Sequence, residues 1–196
     1  VIVYLHGFNS AGNNKNGKVV ELKKLDDVLP LTYDTFAKFE DILEYLIDAV
    51  KDIEHPVFVG SSMGGFYAAI LAQHFGTPSV LINPLYDPIG FLDSQTESAH
   101  TNLTDFSVHS VYAETIESYR HLKVDISNPA KYEIIPLVIV ADDDEVISAA
   151  GMKEYFKDMI LFSTADGGHR YDKPKQIISV IQNYLNQASV ATDLNT

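Results

Sequence analysis

The 196-residue chain contains no cysteine. This excludes disulfides, thiolate nucleophiles and cysteine-ligated zinc, and it suits an intracellular compartment. Positive charge is also scarce: 14 Lys and Arg against 27 Asp and Glu leave a net charge of -13. A surface of that sign repels phosphate, so neither nucleic acid nor an anionic membrane is expected as a partner. Long apolar runs are missing as well. Nothing approaches the ~18 residues that a membrane span needs, and Val1-Ile2-Val3-Tyr4-Leu5 is too short and too early for a secretory core. The expected compartment is the cytoplasm, where the Asn102-Leu103-Thr104 sequon would be idle. The chain does not begin with methionine, which implies at least one residue before Val1. Apolar residues, at 46%, are ample for the core of one domain.

Their spacing alternates between strand and helix. Val1 to Leu5 reads as a strand buried on both faces, followed by an Asn-, Ser- and Gly-rich loop from Phe8 to Gly17. Val19, Val20, Leu22 and Leu25 give a short helix its apolar face, and Val28 to Thr32 reads as a strand that Pro30 confines to an edge. Phe39, Ile42, Leu43, Leu46, Ile47, Val50 and Ile53 keep a helical period for nearly five turns. Four further strands follow, at Val57 to Val59, Ser79 to Ile82, Leu137 to Val140 and Met159 to Phe162. Helices follow at Met63 to Phe75, Ala149 to Lys157 and Ile177 to Leu185. The pattern predicts an α/β fold: a doubly wound, mostly parallel six-stranded sheet over residues 1–185, with a polar tail at 186–196 that should fray. Between the fourth and fifth strands, residues 88–136 read as an inserted helical cap. Ile116, Tyr119 and Leu122 would share one helix face there, while Asp93 to Asp105 is expected to be mobile or partly extended.

Gly60-Ser61-Ser62-Met63-Gly64 fits G-x-S-x-G and sits between a strand and a helix, as a nucleophile elbow requires. A serine hydroxyl is a weak nucleophile, so it needs a histidine base and a carboxylate to orient that base. Both follow in the order that the elbow motif predicts: Asp142-Asp143-Asp144-Glu145 after the fifth strand and Gly167-Gly168-His169 after the sixth. These loops fall on the carboxyl edge of the sheet. The candidate catalytic residues are Ser62, Asp144 and His169. Asp144 is preferred over Asp143 because the apolar pair Val146-Ile147 follows it after one residue, ready to pack into the core. A calcium loop would need ligands at alternate positions and a central glycine, which this stretch lacks. Backbone N–H groups of Phe8 and Met63 are the expected oxyanion donors. His6 is expected to brace its turn, and the remaining five histidines default to the surface.

These residues resemble the small bacterial α/β-hydrolase esterase family that includes YqiA and YcfP. The resemblance rests on Val3-Tyr4-Leu5-His6-Gly7-Phe8-Asn9-Ser10, Gly60 to Ala68, Leu81-Ile82-Asn83-Pro84, Asp144-Glu145-Val146 and Gly167-Gly168-His169. It implies a minimal α/β-hydrolase with a small cap, Ser62, Asp144 and His169 as a triad, an ester or thioester substrate, and no metal or organic cofactor. Two departures stand out. The family tends to place a basic residue just after the Asn-Pro turn, where this chain has Tyr86-Asp87, which argues for a less charged ester. It also spaces the last glycine from its histidine by one residue, whereas Gly168 and His169 are adjacent. Two rival readings stand beside this one. Gly12-Asn13-Asn14-Lys15-Asn16-Gly17-Lys18 fits a phosphate-binding loop, but Val19 stands where a Ser or Thr should hold magnesium. A ligand-binding protein with vestigial chemistry is the other, although all three triad positions are filled.

Overall fold

The computed structural model describes residues 1–101, 107–120 and 122–193. The Asn102-Leu103-Thr104 sequon, the end of the Asp93 to Asp105 stretch, His121 and residues 194–196 lie outside the described residues. Six strands form one parallel sheet: β1 (Ile2–Leu5), β2 (Val28–Leu31), β3 (Val57–Ser61), β4 (Ser79–Ile82), β7 (Leu137–Ala141) and β8 (Ile160–Thr164). Their order is β2-β1-β3-β4-β7-β8, with Pro30 on an edge strand, where its missing N–H does least harm. A separate antiparallel pair, β5 (His100–Thr101) and β6 (Val108–His109), lies between β4 and β7 in the chain.

The inner strands are buried at nearly every position because both faces are covered. Val3, Leu5, Phe58, Leu81 and Val138 point into one core, and Ile2, Tyr4, Val59, Val80 and Ile139 into the other. The first core is closed by α2 (Phe39–Val50), α3 (Met63–Phe75) and α6 (Ala149–Tyr155). The second is closed by α1 (Gly17–Leu22) and α7 (Ile178–Asp193). Helix α2 buries Phe39, Ile42, Leu46 and Val50 along a single stripe, whereas α3 is buried from Met63 to Ala72 on all sides. Glycine and alanine on α3 let it lie close against β3 and β4. Gly76 ends it in the left-handed region, its N–H donating to Ala72 O.

The long connection between β4 and β7 holds α4 (Pro88–Ser94), the β5–β6 pair and α5 (Ala113–Arg120). It is therefore only partly helical, and Asp93 and Ser94 belong to α4. Ile116 and Tyr119 are buried on α5 as expected, but Leu122 lies beyond the end of that helix. Hydrogen bonds tie helix α5 to the body. Thr115 Oγ1 donates to Phe36 O at 2.9 Å, Phe39 N–H donates to Ser118 Oγ at 2.9 Å, and the Tyr67 and Tyr119 hydroxyls meet at 2.5 Å. The closing helix corrects the expected fraying tail, since α7 continues to Asp193 and buries Ala188. Among the described residues no helix is long and apolar enough to cross a membrane.

In such a sheet the strand order reverses at β1: the chain passes from β1 to β2 on one side and builds every later strand on the other. Ligands of doubly wound sheets bind outside the carboxyl ends of the strands at this reversal. The turn after β1 and the turn after β3 meet there.

Candidate active site

Ser62 joins β3 to α3 with φ 56° and ψ −124°, a conformation that costs energy in any residue with a side chain. The surrounding bonds hold it in place. Its N–H donates to Ile82 O at 3.0 Å, and its carbonyl accepts from Gly65 N–H at 2.9 Å and from Leu85 N–H at 3.0 Å. The motif glycines are required by contact: a Cβ on Gly60 would lie 2.0 Å from Gly64 O, and one on Gly64 would lie 2.2 Å from Leu5 O.

The three residues singled out in the sequence come together at this edge. His169 Nε2 lies 3.0 Å from Ser62 Oγ, and His169 Nδ1 lies 2.9 Å and 3.1 Å from the two carboxylate oxygens of Asp144. An ionised carboxylate only accepts, so Nδ1 carries the proton and Nε2 turns its lone pair to the serine hydroxyl. The Asp144 side chain is fully covered, and its Oδ1 also accepts from the N–H groups of Val146 and Ile147, each at 2.8 Å. Burial pushes this carboxyl up. The His169 hydrogen bond, the two backbone donors and the His169 charge together outweigh burial and hold it below the usual carboxylate range. Of the apolar pair used to choose Asp144, Ile147 packs into the core and Val146 is exposed.

The neighbouring acids have separate tasks. Asp143 Oδ1 accepts from Gly168 N–H at 2.8 Å, and Glu145 Oε2 accepts from His169 N–H at 2.9 Å. Three consecutive carboxylates thus hold one Gly-His turn, with Asp144 alone on the ring. Gly168 adopts φ 62°, which lets the histidine follow it directly.

The turn after β1 runs against the serine, so close that a Cβ on Gly7 would lie 3.1 Å from Ser62 Cβ. His6 shapes this turn, as expected. Its Nδ1–H donates to Gly7 O at 2.8 Å, its Nε2 accepts from Tyr33 N–H at 3.3 Å, and its ring stacks on Tyr33 at 4.3 Å. Burial pushes its pKa down to about 4, against a smaller upward pull from the Gly7 carbonyl. The backbone N–H groups of Phe8 and Met63 have no hydrogen-bond partner among the described residues. Met63 opens α3, where the first N–H groups have no acceptor within the helix.

Three features escaped the sequence reading. The first is Asn83, fully buried at φ 43°, whose side-chain amide donates to Gly168 O at 2.9 Å and to His169 O at 3.1 Å while its Oδ1 accepts from Ala141 N–H at 2.8 Å. The Asn-Pro pair after β4 was its signal. The second is Lys18. Its ammonium donates to Arg170 O in the turn that carries His169, so it is not free for a phosphate, and burial pushes its pKa down to about 8. The third is the pair His100 and His109, expected on the surface but packed against Phe8 and Phe36: His109 stacks on Phe36 at 4.7 Å, and His100 meets Phe8 edge-on at 5.3 Å. Asp87, whose charge suggested substrate preference, caps α4 by accepting from Gly90 N–H at 3.0 Å. A groove of about 500 Å³ opens beside the turn, lined by Ser10, Thr35, Phe36, Asp41, Tyr45 and His109 among others, but not by Ser62, Asp144 or His169. Among the described residues no three His, Asp or Glu side chains converge to hold a metal ion.

Over residues 1–186 the sequence matches UPF0227, described as an uncharacterised protein family. The UPF0227 protein of Vibrio atlanticus is 23% identical over 200 residues, covering 95% of this chain and 99% of that one. The match to the UPF0227 protein of Shewanella woodyi is shorter, 32% identical over 94 residues, 45% of this chain and 52% of that one. Among solved structures, Est1E from Butyrivibrio proteoclasticus superposes with a TM-score of 0.73 at 15% identity, over 96% of this chain and 88% of that one. A likeness at that identity establishes the fold, which is that of the α/β-hydrolases.

Proposed function

This chain belongs to the UPF0227 family, and we propose that it acts as a serine hydrolase cleaving a small-molecule carboxylic ester or acyl thioester. The observation that carries this reading is the unbroken line of hydrogen bonds from Ser62 through His169 to Asp144. Ser62 Oγ attacks the substrate carbonyl while His169 Nε2 takes its proton. The charge that develops on the carbonyl oxygen is met by the Phe8 and Met63 N–H groups and by the positive end of α3. Collapse expels the alcohol or thiol, which receives the proton from His169 and leaves an acyl group on Ser62. Water, deprotonated by the same imidazole, then releases the acid. Throughout, Asp144 keeps the proton on Nδ1 and stabilises the imidazolium without accepting that proton itself. No metal or organic cofactor enters this cycle.

The test is hydrolysis of p-nitrophenyl esters and acyl thioesters of graded chain length by the native chain and by Ser62→Ala. The native chain is expected to turn over at least one class, and Ser62→Ala to lose about 10⁴-fold or more in kcat with its circular dichroism unchanged. Near-normal hydrolysis by Ser62→Ala would overturn the assignment.

A further inference from the structure

We propose that Asn83 is the positioning residue that sets His169 at working distance from Ser62; this rests on the serine-hydrolase reading above. At Asn83 the turns carrying Ser62, Asp144 and His169 converge. On its main-chain side, Ile82 O accepts from Ser62 N–H, and two residues on, Leu85 N–H donates to Ser62 O, so the peptide units flanking the serine are gripped from both directions. On its side-chain side, Nδ2 donates to the carbonyls of Gly168 and His169, which fixes the backbone that carries the imidazole. Its remaining oxygen takes Ala141 N–H, and Ala141 O in turn accepts from Asp144 N–H at 3.3 Å, where the turn holding the carboxylate begins. Asn83 N–H donates to Ile139 O at 2.8 Å and anchors the whole arrangement to β7.

The chemistry of the residue matches the task. Both amide protons and the amide oxygen are used, in a site with no exposure to water. The backbone is left-handed, which asparagine tolerates better than most residues with a side chain. Aspartate has the same shape and keeps the acceptor for Ala141, but it turns an oxygen toward two carbonyls that need donors. Because asparagine touches no reacting atom, its loss should displace the base and leave substrate contacts alone. Displacement of a catalytic group by about 1 Å costs on the order of 100-fold in rate.

The experiment compares Asn83→Asp and Asn83→Gly, the second chosen because glycine accepts the same backbone conformation, with the native chain. Two quantities are read. One is steady-state kinetics, where kcat is expected to fall about 100-fold with KM within threefold. The other is independent of activity: the downfield Nδ1 proton resonance of His169, identified by its loss in His169→Gln, is expected to shift or broaden in both variants. An unmoved resonance, or kcat within threefold of native in a folded variant, overturns the proposal. In the unsubstituted chain the two Asn83 amide protons should exchange far more slowly than those of an exposed asparagine; exchange at the exposed rate also overturns it. If the native chain proves to hydrolyse nothing and Ser62 is inert, the proposed reaction fails, and the resonance and exchange measurements still decide whether Asn83 holds His169.

Discussion

Acidification from pH 7 to pH 4 should cost this protein stability through His6, by an amount that the geometry sets. The imidazole is 1% exposed, its Nδ1–H is committed to Gly7 O and its Nε2 must accept from Tyr33 N–H. A second proton would face that N–H and lose the bond. The folded pKa of about 4 stands against an ordinary 6.5 in the unfolded chain. Between those values the unfolded chain takes up a proton that the fold refuses, so the contribution is fully present above 6.5 and is lost as pH falls through the window. The difference corresponds to about 3 kcal/mol, a large share of the 5–15 kcal/mol typical of a domain. Urea unfolding at pH 7, 6, 5 and 4 of the native chain and of His6→Gln isolates the effect, because every other group titrates in both. The native chain should lose about 3 kcal/mol more than the variant across this range. Equal losses would refute the reasoning, and with it the claim that a neutral, fixed tautomer shapes the turn carrying Phe8. Asp144 does not confuse the reading: it titrates alike in both chains, and the contribution of its depressed carboxyl is lost only as pH falls from the usual carboxylate value downward.

Other consequences are separable from this one. Asp144→Asn should lower kcat by about 10⁴ with the fold intact, whereas Asp143→Asn should cost less than about tenfold, since Asp143 meets a backbone N–H and not the ring; steady-state kinetics on both separates them. Gly60→Ala places a methyl 2.0 Å from Gly64 O, so the elbow must open, and urea titration should show a loss of several kcal/mol, about 3 or more. Lys18 has a folded pKa of about 8 against 10.5 unfolded. The unfolded chain therefore holds the proton more tightly between those values, and stability should rise with pH from 8 to 10. Lys18→Met should lack that rise in unfolding measurements over the same range.

How much of this was legible in the sequence depended on whether the controlling interactions were local. Ser79–Ile82 and Met63–Phe75 were predicted with the bounds that the structure shows, because each is a largely apolar segment closed by a turn residue, Asn83 or Gly76. The extension of α7 was missed because between Asn186 and Val190 Ala188 alone is buried, so the apolar period fades while the helix continues. The expectation that Asp93 to Asp105 is partly extended covers β5, but its pairing with β6 was not legible because two-residue strands carry no alternation to read. Ser62, Asp144 and His169 were legible as residue types in a required order. Asn83 was not, because the three partners of its side chain lie 58, 85 and 86 positions away, and nothing in an Asn-Pro dipeptide says which turns will fold back onto it. The partner of Lys18 was illegible for the same reason: Arg170 O is 152 positions distant, and the glycines before Lys18 imitate a phosphate loop that Val19 already argued against.

The central claim, that Ser62 is the nucleophile of an acyl-transfer site, is tested most directly by a fluorophosphonate probe followed by peptide mass mapping. The account predicts a single adduct on Ser62, abolished by Ser62→Ala and slowed by at least about 100-fold in His169→Gln. An adduct elsewhere, or labelling of Ser62 that proceeds at the same rate without His169, would contradict it.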